Sequence, residues 1–166
     1  MAPAAGPALV RVPGARRRYE IRGVGTLQLE GWASRRATAE AAVGSWELSR
    51  GLWRRRAQAT AAGSVVGTFS RGSLFRRGGS LTWETRPLEL RSTSVWRQRY
   101  ALREDGQDLV VLTASGRGKR PVTIAFGRSA AIEPALLLFA AFLVLGFAQD
   151  ANAGAGAAAG GAAGAL

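Results

Sequence analysis

Residues 134–148 read PALLLFAAFLVLGFA, a stretch without a charged or hydrogen-bonding side chain. Pro134 opens it, and proline suits the first turn of a helix because the N–H that it lacks would have no partner there. Leucine, phenylalanine and valine then fall on every side of the helical wheel, whereas a surface helix keeps a polar side. The stretch therefore predicts a helix that is surrounded completely by protein or by lipid.

The length of the stretch separates these two environments. At ~1.5 Å per residue the helix would be about 22 Å long, which is shorter than the roughly 30 Å hydrocarbon core of a bilayer. Glu133 precedes it, and Gln149 and Asp150 follow it. We therefore interpret the stretch as the core helix of a folded domain, covering about residues 134–149, with a short membrane anchor as the alternative.

The chain before this helix alternates apolar and polar residues in short segments. In Leu88-Glu89-Leu90-Arg91 the leucines share one face of a strand and the charges share the other. Such segments, spaced about 8–12 residues apart and divided by turn signals such as Asp105-Gly106, are typical of antiparallel sandwiches and barrels. Closing a half-apolar sheet around an apolar helix buries both and leaves no exposed edge. The predicted fold is mainly β: a closed antiparallel barrel of roughly ten to twelve strands around a central hydrophobic C-terminal α-helix.

The regions on either side of this barrel have a different composition. Residues 1–17 are rich in proline and lack periodicity, which predicts a flexible N-terminal arm before a barrel over 18–150. Residues 151–166 form an uncharged Ala/Gly tail, which predicts a frayed or disordered segment. Within the barrel, residues 33–42 fit either a helical turn or a loop. The five tryptophans predict core and barrel-rim packing, because large aromatic side chains dominate protein cores.

The composition excludes several classes of catalytic site. The chain has neither histidine nor cysteine, so it cannot form a disulfide, a thiol nucleophile, a Ser-His-Asp triad or a His-based metal site. Glu104, Asp105 and Asp108 cluster at a predicted hairpin turn and supply too few oxygen ligands for calcium. The sequence therefore predicts a protein that is not an enzyme, with no catalytic residues, no metal and no cofactor. The N-terminus lacks an apolar signal segment, which predicts a cytoplasmic location. The net positive charge adds an anionic membrane surface as a candidate place of association.

The net charge of +12 favours an anionic membrane surface or another polyanion as partner. Arg54 and Arg56 lie beside Trp53 and share one face of a predicted strand. Arg117, Lys119 and Arg120 belong to a glycine-rich basic loop, and arginine side chains bind phosphate through two hydrogen bonds. These five residues are the candidate anion- or lipid-binding residues. The alternative is that the basic clusters only form the solvated outer surface of the barrel.

Four segments in the second half of the chain carry a family resemblance. They read WxxRYxL over 96–102, LVVL over 109–112, RGKRPV over 117–122 and EPALLLF over 133–139. In order and spacing they resemble the tubby-like superfamily, and most of all the LURP-one-related and phospholipid-scramblase-like proteins with their small bacterial members. The resemblance covers roughly residues 18–150. It implies a closed barrel of about twelve strands around the C-terminal helix.

The resemblance also bears on function. Tubby domains bind phosphoinositide headgroups through basic side chains, which implies an anionic phospholipid ligand for a non-enzymatic binding or scaffold module. This sequence lacks the cysteine and the acidic calcium loop of the scramblases and the lysine-arginine headgroup motif of tubby domains. Two alternatives remain open, a tail-anchored basic membrane protein with 134–148 in the bilayer and a basic nucleic-acid-binding domain. The second is disfavoured because no RNP-like aromatic pattern is present. The sequence leaves the oligomeric state open.

Overall fold

In the computed structural model, which describes residues 6–31, 33–51, 55–72, 78–94, 96–127 and 131–160, twelve strands and one helix form a single closed barrel. Each strand is antiparallel to its neighbours in the chain, and the first strand closes the ring against the last. The predicted closed barrel with a C-terminal helix is confirmed. The elements are β1 (Ala8–Arg11), β2 (Arg18–Ile21), β3 (Gly25–Glu30), β4 (Arg36–Ala41), β5 (Gly44–Arg50), β6 (Arg56–Ala61), β7 (Ser64–Arg71), β8 (Gly78–Trp83), β9 (Arg86–Ser92), β10 (Gln98–Glu104), β11 (Gln107–Ala114), β12 (Val122–Phe126) and α1 (Pro134–Gly160).

Helix α1 fills the interior of the barrel, where every residue from 135 to 148 is buried. It passes closest to β4, whose inward-facing residues Ala37 and Ala39 are small. On the other side, larger side chains fill the wider gap, and the Trp83 ring lies 6.0 Å from the Phe139 ring. Pro134–Ala155 is long and apolar enough to cross a membrane, but a buried core helix meets the same test. Residues 135–148 of this segment are buried in the barrel, whereas residues 151–155 extend beyond it and are exposed.

The Trp83 side chain occupies space that a glycine on β7 leaves open. A Cβ atom at Gly67 would lie 2.5 Å from the Trp83 ring, much closer than a carbon contact allows. The ring is 2% exposed. The glycine therefore lets the largest side chain of the barrel wall turn inward against the helix.

The two ends of the barrel have connections of different length. At the end that we call the hairpin end, three connections are two-residue turns whose first residue has a positive φ: Ala62, Glu84 and Asp105. Residues 22–24 and 42–43 also turn there, and α1 enters the barrel at this end. At the opposite end, the loop end, α1 leaves the barrel. The strands are joined there by longer connections, over 12–17, 31–35, 51–55, 72–77, 93–97 and 115–121.

Three local predictions differ from the structure. The stretch predicted as a flexible arm contains β1, which pairs with β2 and β12 and buries Leu9 completely. The ambiguous stretch 33–42 contains β4, whose inward alanines lie against the helix. Helix α1 continues to Gly160 into the predicted frayed tail, because a helix already nucleated in the core extends at little cost through alanine-rich sequence.

The tryptophans divide into different environments. Trp83 is a core residue as predicted, and Trp46 is partly buried against the core. Trp96 is 95% exposed, so the prediction of a packing role is wrong for this residue. It lies in the connection between β9 and β10, before the strand begins at Gln98. Trp32 and Trp53 lie outside the described residues.

Candidate functional site: the loop end of the barrel

Four of the five predicted anion-binding residues are described, and all four lie at the loop end. Arg56 is the first residue of β6 and is exposed. Arg117, Lys119 and Arg120 are exposed in the connection from β11 to β12. Arg54 lies outside the described residues. Since β6 lies almost opposite β11 and β12 in the strand order, the structure places Arg56 and the other three on one end of the barrel but not in one cluster.

Charge is divided unequally between the two ends. Among the described residues, all basic residues except Arg22, Arg86 and Arg103 lie in the connections of the loop end or within two residues of it. Only two described carboxylates are as close to that end, those of Glu30 and Asp150. The hairpin end has the opposite composition, with the carboxylates of Glu20, Glu40, Glu84, Glu104, Asp105, Asp108 and Glu133. The barrel therefore carries a positive end and an end with excess negative charge.

The exposed Trp96 lies among the exposed basic residues of the loop end, which we call the basic rim. Its connection contains Arg97 and is the neighbour, around the barrel, of the connection that contains Arg117, Lys119 and Arg120. Tryptophan is enriched where apolar and aqueous phases meet, because its ring is apolar while its N–H remains hydrated. Its exposed position was not anticipated from the sequence, because all five tryptophans were expected to pack in the core or at the barrel rim.

A buried arginine lies beneath the rim. The Arg50 side chain is 6% exposed, and its Nη1 donates to the Asp150 carboxylate at 3.1 Å. Its Nη2 donates to the Ser34 carbonyl at 3.4 Å, and the guanidinium lies 5.8 Å from the centre of the Phe142 ring. A Cβ atom at Gly146 would overlap this guanidinium, so the helix provides the space for it. Arg50 therefore joins the strand wall to the last buried turn of α1.

Sequence reasoning overlooked Arg50, although the signal was present. Leu48 and Arg50 are two residues apart on β5, so a strand that points Leu48 inward also points Arg50 inward. An arginine on an apolar strand face requires a partner, because a buried charge is costly unless it is paired. The same reasoning identifies Asp150 as a candidate partner at the end of the apolar helix.

A cavity of about 430 Å³ opens beside Arg50 at the loop end. Arg17 and Arg35 line it from two neighbouring connections, and Asp150 lines it from the helix. Backbone hydrogen bonds fix both connections: the Arg35 carbonyl accepts from the Arg50 N–H at 2.7 Å, and the Arg17 carbonyl accepts from the Leu29 N–H at 3.0 Å. Both connections are thus hydrogen-bonded to neighbouring strands where they line the cavity, and the described lining has more basic than acidic side chains.

The hairpin end contains a separate ionic cluster. Arg86 donates to both oxygens of Glu104, at 2.8 and 3.0 Å, and also to Glu133. The other Glu133 oxygen accepts the indole N–H of Trp83 at 2.7 Å. The hydrogen bond from Arg86 lowers the pKa of Glu104 below its usual value. Because α1 starts at Pro134, this cluster anchors the beginning of the helix to the barrel wall.

Neither end has the arrangement of a metal site in the part of the chain that the structure describes, since no three carboxylates gather there in a suitable geometry. Comparison of the chain with models of known protein families, with curated proteins and with solved structures gave no match. The chemistry of the loop end is therefore the basis on which a function is proposed.

Proposed function

We propose that this protein is a non-enzymatic barrel that binds anionic phospholipid surfaces end-on, through its loop end. The observation that carries the proposal is the collection of exposed basic residues at the end where α1 emerges. Near an anionic membrane each lysine or arginine contributes about 1 kcal/mol to binding. Several such residues at the loop end would hold that end against the membrane, with the barrel axis perpendicular to the membrane surface.

Two further features support a membrane over another polyanion. Trp96 offers an exposed indole on the basic rim, and an indole inserts readily among lipid headgroups. Helix α1 extends from the same end, and its described exposed residues beyond Asp150 are uncharged. The tubby-like resemblance suggests the same class of ligand. A nucleic-acid partner stays an alternative prediction of the sequence, without a structural observation that favours it.

Vesicle flotation tests this function. We expect the full chain to float with vesicles that contain phosphatidylglycerol or phosphatidylserine, and not with neutral phosphatidylcholine vesicles. Binding should weaken as salt rises, because exposed charges are screened. Equal, negligible binding to both kinds of vesicle would rule the proposal out.

A matched pair of charge reversals locates the binding surface. Lys119→Glu changes the charge of an exposed residue at the loop end, and Arg22→Glu changes that of an exposed residue at the hairpin end. We expect the Lys119 variant to bind acidic vesicles about five- to tenfold more weakly and the Arg22 variant to bind nearly as well as the native chain. Equal losses would show that net charge, and not the loop end, determines binding. Trp96→Ala should weaken binding even at high salt.

A further inference from the structure

The cavity at the loop end differs from the exposed rim in depth and in composition. Three arginines line it from three separate parts of the chain, Arg17, Arg35 and Arg50, and Asp150 is the one carboxylate among the described residues of its lining. The lining therefore carries an excess of two positive charges. Arginine side chains on an open surface can move apart and so reduce their repulsion, whereas Arg17, Arg35 and Arg50 line one cavity.

Arg50 occupies a position that the fold prepares for it. Its guanidinium lies against Gly146, where any side chain on the helix would overlap it. Burying a guanidinium costs several kcal/mol unless it is paired and hydrogen-bonded. Arg50 meets this condition through Asp150, so the floor is a compensated ion pair and the excess positive charge of the cavity comes from Arg17 and Arg35.

The backbone at the cavity is also unusual. Arg17 and Ser34 have φ angles of 57° and 50°, in the left-handed region that non-glycine residues seldom adopt. The other non-glycine residues with positive φ in the described chain begin two-residue hairpin turns, where the turn requires it. Arg17 and Ser34 belong to longer connections without that requirement. Strained backbone of this kind clusters at ligand sites.

Arg35 is available to a ligand. Within the described chain its side chain takes part in no hydrogen bond or ion pair, while its carbonyl is fixed to β5. It is partly exposed at the cavity, so a bound anion would meet it without first breaking an internal interaction. Arg17 lines the same cavity from the neighbouring connection, and a guanidinium group can donate two hydrogen bonds to a phosphate.

From this geometry we propose that the cavity binds a phosphate monoester, with Arg35 and Arg17 donating to the phosphate oxygens and Arg50 with Asp150 forming the floor. A phosphate monoester is largely a dianion at neutral pH and balances the two excess charges of the lining. The volume of about 430 Å³ suits a small organic phosphate, since ligand sites commonly measure ≈ 300–1,000 Å³. The inference rests on the cavity and not on the membrane binding proposed above.

Calorimetric titration with glycerol 3-phosphate, at constant ionic strength in sodium chloride, tests the proposal. Saturable binding with one site is the expected result, with a Kd tighter than about 1 mM. Arg35→Gln should weaken it at least tenfold. Arg36→Gln is the matched control, because it makes the same change one residue along, on the outer face of β4. Equal affinity of the two variants would overturn the proposal, as would a native titration without saturation.

Chemical shifts of the native chain provide a measurement that does not depend on any variant folding. In spectra of the ¹⁵N-labelled chain, glycerol 3-phosphate should shift the amide signals of Arg17, Arg35 and Arg50 and leave the turn at Asp105 unchanged. Shifts confined to the exposed rim, or spread evenly over all arginines, would contradict a defined site.

Vesicles distinguish a soluble phosphate from a lipid headgroup. Phosphatidic acid carries a phosphate monoester, whereas phosphatidylglycerol carries a diester, so the two are compared at equal surface charge. If the native chain prefers phosphatidic acid and the Arg35→Gln variant does not, the ligand of the site is a lipid headgroup. Equal binding of both lipids, with saturable glycerol 3-phosphate binding retained, assigns it to a soluble phosphate. If the protein binds neither kind of vesicle, the membrane proposal fails, while the glycerol 3-phosphate titration still tests the proposed phosphate-monoester site.

Discussion

The hairpin end and the loop end of this barrel divide structural and chemical roles between them. At the hairpin end, tight turns and a carboxylate–arginine cluster fix the point where α1 enters. At the loop end, longer connections carry most of the described basic residues and surround a cavity. The same strands run through both ends, so the difference arises from the connections and not from the sheet.

Connection length explains why only one end offers a binding surface. A two-residue turn closes directly over the sheet and projects few side chains across the mouth of the barrel. Connections of five to seven residues, as between β3 and β4 or β11 and β12, extend beyond the strands and can present several side chains toward one space. The hairpin end anchors the start of the helix, and the loop end presents the basic side chains around a cavity.

The largest effect should follow from removing the helix that joins the two ends. Deleting residues 133–166 leaves an inner surface of apolar side chains with nothing to cover it, so we expect the remaining chain to aggregate or stay unfolded. Deleting only residues 156–166 keeps every residue of α1 that is described as buried and should give a folded protein. Circular dichroism and gel filtration compare the two truncations. A soluble, cooperatively folded 1–132 fragment would show that the helix is not a core element and would revive the membrane-anchor alternative.

Two glycine substitutions on α1 should have opposite effects. Gly146→Ala forces a methyl group into the Arg50 guanidinium and separates it from Asp150, which should lower the free energy of unfolding by about 3 kcal/mol or more. Gly154→Ala places the same methyl group in open space on the projecting turn. There it should be neutral or stabilise by up to about 1 kcal/mol, because alanine favours helix. Urea unfolding measures both, and a Gly146 variant as stable as the native chain would remove Arg50 from the structural role argued for it.

The sequence contains most of the information about the fold. The apolar helix at 134–148 and the half-apolar strands each need the other, which is why the closed barrel followed from pattern alone. The N-terminal strand β1 did not, because the prolines on either side of it, Pro7 and Pro13, mask a four-residue strand whose formation depends on pairing with β12, more than a hundred residues away. Pairing between distant segments is a property of the closed ring and leaves no local signal.

The candidate site was only partly predictable. The basic clusters were visible in the sequence, but their collection at one end depends on which connections share an end, and this requires the strand order. The cavity around Arg17, Arg35 and Arg50 depends in addition on the register between strands and helix. Arg50 itself could have been recognised from its spacing to Leu48, since a strand face of known direction fixes both residues.

A smaller effect is expected from the ionic cluster at the hairpin end. Arg86→Gln removes the partner of Glu104 and Glu133 and should destabilise the fold by about 1 kcal/mol, because the pairs are well aligned but partly exposed. Arg22→Gln makes the same change of charge at an exposed position of the same end and should have little effect. Thermal unfolding of the two variants gives the comparison. If both lose the same stability, net charge and not the cluster is responsible.

The smallest effect concerns the acid dependence of the same cluster. The hydrogen bond from Arg86 lowers the pKa of Glu104 from its usual value of 4.5, so ionised Glu104 favours the folded state. That contribution is present above the unfolded-state pKa and is lost as the pH falls through the lower folded-state value. The difference in unfolding free energy between the native chain and Glu104→Gln should therefore be constant near neutral pH and shrink once the pH falls below about 4.5. Urea titrations at several pH values measure it, with Glu84→Gln as a carboxylate control at an exposed turn of the same end. A difference that grows with acid would have the wrong sign for a carboxylate held ionised by Arg86.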